Sequence, residues 1–304
     1  MSGVCVVGSL NIDLSYRVAT LPVPGETVLA LDRARDYGGK GGNQAIAVAV
    51  LGGDVAFVGA VGADEAGLDY LTHLRRHGVD TSGVTQASAV ATGTAMVFVD
   101  DAGENLIVVD PGANSSVQPD AVSHAVRACS PSAVLAQLEI PLDALEAIVE
   151  AIPDTATFIL NPAPMPSDPN ALAKVLSRVD ILVPNRTELG QLAGRNEPDT
   201  ITDVAECLTA LRFERSVVVT LGADGAAVFE PGAELRHIPA VRVDPVDTTG
   251  AGDAFCGALA TGLAAGLSLD ESVRAAVKVA GRSTTLRGAQ LTAETSEGPV
   301  GEAR

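Results

Sequence analysis

The stretch VDTTGAGDAF, Val246 to Phe255, runs straight into CGALATGLAAGL, which ends at Leu267. It sets an acid, two threonines, two glycines and a second acid in one turn, then small and apolar side chains at helical spacing. Asp253 therefore falls in the first turn of a helix, and the residues before it form the loop that enters it. Gly250 and Gly252 allow backbone angles that aim successive N–H groups at one point, which is how a loop holds an anion. A carboxylate beside such a loop has a use. Asp253 would take the proton from an attacking hydroxyl while the N–H groups of Gly250, Ala251 and Gly252 steady the charge on a transferred group. Taken alone, a GxGD more often marks a helix cap and close-packed glycines, so the rest of the chain has to decide.

Working outward, short β-branched runs recur at VCVVG from Val4, VAFVG from Val55, AVLAQ from Ala133, TFILN from Thr157, DILVPN from Asp180 and SVVVT from Ser216. Helical patterns lie between them at Gly41 to Leu51, Ala66 to His77, Pro119 to Ala128, Leu142 to Ala151, Asn170 to Leu176 and Ile201 to Leu211. Near-continuous apolar strands alternating with helices predict an α/β fold with a mostly parallel central sheet flanked by helices. Such a sheet binds ligands at the carboxyl ends of its strands. Two segments break the rhythm: Leu14 to Tyr37, and GTAMVFVDDAGENLIVVD from Gly93 to Asp110, two strands around a turn. These predict a small β-sheet lid made of about 11–37 and 93–110, the other reading being an edge extension of the main sheet. One α/β domain with this lid is expected over 1–290, and a polar, disordered tail over 291–304.

Composition narrows the partners. A formal charge of −18 with no basic run excludes a nucleic-acid backbone as the natural partner, so any anionic ligand must be held locally. No apolar run approaches the roughly 18 residues of a membrane span, and Met1 to Ser9 has no basic region or cleavage site, so a cytoplasmic protein is expected. Cys5, Cys129, Cys207 and Cys256 are scattered without a CxxC pair, which predicts reduced thiols rather than a disulfide framework or thiolate zinc site. His73 and His77 in HLRRH stand four apart, a spacing zinc sites use, but with arginines between them they read as an exposed charged helix. GAVGADEAG near Gly59 is expected to join a strand to a helix and to line the ligand pocket.

At DTTGAGDAF the chain resembles the ribokinase family of PfkB-type sugar kinases in their carboxyl-terminal signature, and GGKGGNQA, Gly38 to Ala45, is similar to their amino-terminal one. GSLNID from Gly8, QLEIP from Gln137, NPAP from Asn161, PNRTE from Pro184, TLGADG from Thr220 and RGAQ from Arg287 follow in order. Each is weak singly, and the ordered set is specific. The resemblance implies transfer of the ATP γ-phosphate to a sugar hydroxyl, with NPAP and QLE favouring the 5-hydroxyl of ribose. It implies Asp253 as base and Asn11, Asp13, Gly39, Lys40, Asn43 and Glu139 as sugar-binding positions. Asn185, Thr220, Gly222, Gly225 and Gly252 would meet the nucleotide. Asn185 and Glu188 would organise magnesium, possibly through water. Oxygens of Asp247, Thr249, Ser283, Leu286 and Gly288 would hold potassium. A homodimer joined through the lids is also expected.

Bland readings stand beside these. Asn11 and Asp13 read as a turn after the first strand, Asn185 with Glu188 as a helix cap, and TLGADG as a turn between strands. No Walker motif is present, so the phosphate cradle is of another kind. Two departures from the family pattern are VKVAG, Val277 to Gly281, where an Asn- or His-bearing helix is expected near adenine, and the lack of an apolar closing helix beyond Gln290. The rivals are a related kinase acting on deoxyribose, fructose or a nucleoside such as adenosine, and a sugar sensor without chemistry.

Overall fold

A computed structural model describes residues 3–293. A nine-stranded sheet runs edge to edge through Arg236–Ile238, Ala226–Phe229, Ser216–Thr220, Ile181–Leu182, Thr157–Leu160, Ala133–Ala136, Val4–Val7, Val55–Gly62 and Asp80–Ala87. All neighbours pair in parallel except at the edge made by the strands 226–229 and 236–238, where both pairings are antiparallel. All four residues of Val4–Val7 are buried: Cys5 and Val7 enter one core, Val4 and Val6 the other. That is why these strands read as unbroken apolar runs, since a parallel strand covered by helices on both faces has no wet side.

A second sheet of four strands has the order Asp32–Gly38, Asn11–Arg17, Gly93–Val99, Asn105–Asp110. Asn11–Arg17 pairs in parallel with Gly93–Val99, and the other pairings are antiparallel. This sheet rises from the carboxyl edge of the large one, because Val4–Val7 leads within four residues into Asn11–Arg17. Its outer strand Asn105–Asp110 is exposed throughout.

Leu291 is the first residue of the expected tail. Leu291 is buried against Ala47 and Ala254, since an apolar side chain beside the helix Ala251–Ala264 gains by leaving water. The remainder of that expectation, 294–304, lies outside the described residues. Among the described residues, no helix is long and apolar enough to cross a membrane.

Candidate active site

The loop and helix at Val246–Leu267 adopt the geometry their glycines permit. Gly250 precedes the helix Ala251–Ala264 with φ 74°, and a Cβ there would stand 2.0 Å from the carbonyl oxygen of Ala289, so only glycine fits. No side chain caps this helix. The Ala251 N–H is spent on the Thr248 carbonyl at 3.2 Å, whereas a Cβ at Gly252 would meet nothing within 4 Å, so open space lies beside the first turn. That space is a cavity of about 120 Å³ whose walls include Gly250, Gly252 and Asp253.

Asp253 is 7% exposed, yet both carboxylate oxygens are engaged. The Asn43 Nδ2 donates to Oδ2 at 3.0 Å and the Gln44 Nε2 donates to Oδ1 at 2.9 Å, from adjacent residues of the helix Lys40–Val50. Burial lifts the Asp253 carboxyl above its ordinary range, while Lys40 and the two amides pull against that rise. Lys40 opens the Lys40–Val50 helix and lines the cavity. Burial alone would lower its ammonium pKa, but Asp253, Glu139 and Glu188 together hold it above the usual value. The three acids outnumber this one cation.

Further along the carboxyl edge, Glu139 accepts from the Ser9 hydroxyl and from the Lys40 backbone N–H. Asn11 and Asp13 stand on one face of the strand Asn11–Arg17 by its period of two. Asp13 is pressed against Gly38, where a Cβ would collide with its carboxylate at 2.1 Å. Burial, reinforced by Glu139, Asp36 and Asp253, raises Asp13 from 3.8 to about 6. The Asp13 Oδ1 and the Asn43 Oδ1 are buried with no partner in the protein. Buried polar atoms left this way mark where a hydroxyl-bearing ligand is wanted. Gly39, with φ 84°, caps the Lys40–Val50 helix between these two atoms' elements.

Asn185 and Glu188 form a capping box at the helix Arg186–Ala193: the Glu188 N–H donates to Asn185 Oδ1 and the Asn185 N–H donates to Glu188 Oε2, both at 2.8 Å. They also line the cavity, as does Thr220, whose N–H donates to the Pro184 carbonyl. The cap reading and the pocket reading thus hold together. Burial raises the Glu188 carboxyl above its ordinary value, against the pull of the Asn185 amide and Lys40. Gly222 and Gly225 sit in the turn between the strands 216–220 and 226–229, and neither lines the cavity. A Cβ at Gly225 would lie 2.1 Å from the Ile238 carbonyl, which accounts for that glycine structurally.

Asp247 ties the loop before Gly250 to the segment after the helix Leu269–Ser283. Its Oδ1 accepts from the Thr249 N–H at 2.9 Å and its Oδ2 from the Gly288 N–H at 3.0 Å, and the Val246 and Asp247 amides donate to the Thr284 carbonyl. Burial would raise Asp247, but the Gly288 and Thr249 amides hold it below its ordinary value. Gly288, and Thr284 next in the chain to Ser283, are thereby brought beside Asp247. The Ser283 carbonyl accepts only a long 3.5 Å contact from Leu286 N.

Sequence reasoning passed over Gln44, Gln137, Asn161, Ser9 and Asn114. Gln44 is fully buried and its Oε1 accepts from Gln137 Nε2 at 2.6 Å. Gln44 and Asn161 belong to motifs quoted above, so the available signal was a polar side chain on a stretch that otherwise reads as core. GAVGADEAG does join strand to helix, but its Ala63, Asp64 and Glu65 line a different cleft, of about 530 Å³, because Asp64 turns to cap the helix Glu65–Arg76. His73 is not on an exposed face: it stacks on Tyr37 at 4.0 Å and meets Gln290 Oε1 at 2.7 Å. Among the described residues, no group of three His, Cys, Asp or Glu is placed to hold a metal.

Residues 1–296 match the family described as pfkB family carbohydrate kinase. The chain is 36% identical over 297 residues to a ribokinase of Haemophilus influenzae, covering 96% of this chain and 95% of that protein. A deoxyribokinase of Salmonella typhi is 31% identical, with 94% of each chain covered. The structure of Arabidopsis thaliana ribokinase complexed with ribose and ATP superposes with a TM-score of 0.85 at 30% identity, covering 95% of each chain.

Proposed function

Because the chain belongs to the pfkB family of carbohydrate kinases, we propose that it transfers the γ-phosphoryl group of ATP to the 5-hydroxyl of D-ribose, giving ribose 5-phosphate and ADP. The observation that supports this most is a buried carboxylate, Asp253, fixed by two amide side chains at a helix start that has no side-chain cap and lines a cavity with Gly250 and Gly252. Asp253 takes the proton of the acceptor hydroxyl as that oxygen forms its bond to the γ-phosphorus. The bond from phosphorus to the β–γ bridging oxygen breaks, and ADP leaves with the electron pair. The N–H groups of Gly250 and Gly252 donate toward the charge spread over the phosphoryl oxygens, and that of Ala251, which donates to the Thr248 carbonyl at 3.2 Å in this structure, joins them only by leaving that bond. Asn11, Asp13, Gly39, Lys40, Asn43 and Glu139 hold the sugar, with the unpartnered Asp13 Oδ1 and Asn43 Oδ1 accepting from its hydroxyls. Thr220 and Asn185, on the cavity wall, meet the nucleotide, and Gly222 and Gly225 shape the turn beside them.

Magnesium fits an acid-rich cavity, the two carboxylates of Asp253 and Glu188 to the one ammonium of Lys40, and would supply charge neutralisation on the phosphates when bound. Glu188 and Asn185 would hold it through water, because their own capping bonds already occupy the near oxygens. Potassium suits the oxygens of Asp247, Thr249, Ser283, Leu286 and Gly288, of which Asp247, Thr249 and Gly288 are joined by the Asp247 bonds. The exposed apolar strand Asn105–Asp110, with Leu106, Ile107, Val108 and Val109 in water, supports pairing of two lids in a homodimer. A cytoplasmic setting accords with four free cysteines. A second reading, phosphorylation of deoxyribose, is favoured by the 31% identity to a deoxyribokinase.

The test follows ADP formation with ribose, deoxyribose, fructose and adenosine, in potassium and in sodium, for the wild type and Asp253→Asn. Ribose should give the highest kcat/KM, potassium should exceed sodium, and the Asn variant should lose about 10²–10⁴ in kcat. Wild-type turnover by the variant would remove Asp253 as the base.

A further inference from the structure

Asn114 is 1% exposed and reaches no part of the cavity wall, yet it touches one of the proposed acceptor-binding residues. It lies in the turn Gly112–Ser116, directly after the lid's outer strand. Its three polar contacts fix its own amide. The Leu10 N–H donates to Asn114 Oδ1 at 2.9 Å, so that atom must be the oxygen. Its nitrogen therefore donates twice, to the Leu10 carbonyl at 3.1 Å and to Asn11 Oδ1 at 2.8 Å. The Asn11 atom facing a donor must in turn be its oxygen, which leaves the Asn11 NH₂ as the group free to donate elsewhere. Gly93, the lid's second entry, completes the corner: a Cβ there would lie 2.3 Å from Asn11 Oδ1 and 2.4 Å from Asn114 Nδ2.

We propose that Asn114 is a positioning residue for the acceptor: clamped on the backbone of Leu10, it orients the Asn11 amide so that its NH₂, not its oxygen, is presented as a donor beside the acceptor oxygen of Asp13. One side chain thus joins the point where the chain enters the lid, at Leu10 and Asn11, to the point where it leaves, at Gly112 to Asn114. Without Asn114 the Asn11 amide has no partner to choose between its two orientations, and half of its rotations offer the sugar an acceptor where a donor is needed.

This rests on the reading of Asn11 as an acceptor-binding residue, and the experiment separates the two. KM for acceptor and for ATP is measured for the wild type, Asn11→Ala, Asn114→Ala and the double variant, on whichever acceptor of the panel above gives the highest kcat/KM. Unfolding midpoints are recorded alongside. Asn114→Ala should raise acceptor KM roughly tenfold and leave KM for ATP within about twofold, the size expected for one misdirected hydrogen bond. In the Asn11→Ala background the same change should alter acceptor KM by less than about twofold, because partners acting through one contact are not additive. Asn114→Asp, which sets an oxygen against Asn11 Oδ1, should raise acceptor KM further than Ala does. Full additivity of the two Ala variants overturns the proposal and reduces Asn114 to a structural clamp. An acceptor KM untouched by Asn11→Ala itself overturns the underlying reading of Asn11 instead. Should Asn114→Ala not fold, Asn114→Ser takes its place in the cycle.

Discussion

Two helices begin at the same cavity and differ in how their first turns are satisfied. The helix Arg186–Ala193 starts with a closed capping box, each of Asn185 and Glu188 accepting the other's backbone N–H. The helix Ala251–Ala264 starts at a glycine with no side-chain cap, and its first turn opens onto empty volume at Gly252. Every helix leaves four N–H groups without intrahelical partners, and most proteins spend a side chain on them. A start that forgoes this, next to a buried carboxylate, leaves the Gly252 amide for a ligand, although the Ala251 N–H beside it is taken by the Thr248 carbonyl. The capped start has used its carboxylate internally and can act on a ligand only from a distance. Closeness to a cavity does not assign a role; the unspent hydrogen-bonding capacity does.

The largest effect is expected at the bare start. Gly252 is helical, without positive φ, and a Cβ meets no protein atom within 4 Å. Gly252→Ala should therefore fold and gain about 0.5–1 kcal/mol from a stiffer unfolded chain. The methyl group would nevertheless occupy the space where the phosphoryl oxygens approach the amides, and a displacement of about 1 Å there costs on the order of 10²-fold in kcat. Unfolding midpoints and steady-state rates read both. An alanine variant that is more stable and equally active would show that the open volume at Gly252 holds nothing during turnover.

The sequence made the strands 4–7, 55–62, 133–136, 157–160 and 216–220 legible because both faces of a parallel sheet are dry, and an apolar run has little other reading. The helices Leu142–Ala151 and Ile201–Leu211 were read to the residue. The strand Asp80–Ala87, DTSGVTQA, was not, since half of its residues face water and its threonines and serine look like loop. The helix Leu269–Ser283 escaped notice although Ser268 and Glu271 form a capping box. At the site, the motifs point to Asp253, Asn43 and Lys40; of the two glycines in the turn, Gly250 has the positive φ expected of it, while Gly252 is ordinary helix. What the motifs could not show is pairwise: that Gln44 and not only Asn43 reaches Asp253 across 209 positions, or that Asn114 reaches Asn11 across 103. Contacts between distant segments depend on the packing of the helix 40–50 against the helix 251–264 and on the corner of the lid, and no local pattern encodes them.

Gln44 sharpens the comparison by asking what holds the base at the bare start. Its Nε2 bonds Asp253 Oδ1, and it is among the partners that pull the Asp253 carboxyl back down after burial has raised it. Gln44→Leu, close in volume, removes that pull, so the folded-state pKa of Asp253 rises further. A base must be ionised to act, so the acid limb of the pH–kcat profile should move to higher pH. The rate near neutrality should fall about tenfold, on the scale of one lost hydrogen bond to a charged group. Recovery toward the wild-type rate at alkaline pH would separate this electrostatic effect from simple damage, which no increase in pH repairs. A profile that is lowered evenly at all pH values would mean that Gln44 serves packing alone.

The smallest effect is expected at the capped start. Glu188→Gln keeps one oxygen able to accept from the Asn185 N–H but gives up the charge and one of two contacts, since Asn185 Nδ2 also donates to Glu188 Oε1 at 3.0 Å. Loss of part of a cap costs about 0.5–1 kcal/mol. Because burial disfavours the charged form of Glu188, its neutral replacement offsets some of that loss. Acting on magnesium through water, the residue should set the metal requirement rather than the chemistry: half-activation should need a few-fold more magnesium, with kcat at saturating metal and acceptor KM within about threefold of wild type. Titrating magnesium at fixed ATP reads this directly. A kcat loss larger than that of Gly252→Ala would invert the comparison, because a carboxylate already occupied by its own helix would then be closer to the transferred group than the amides left open beside Asp253.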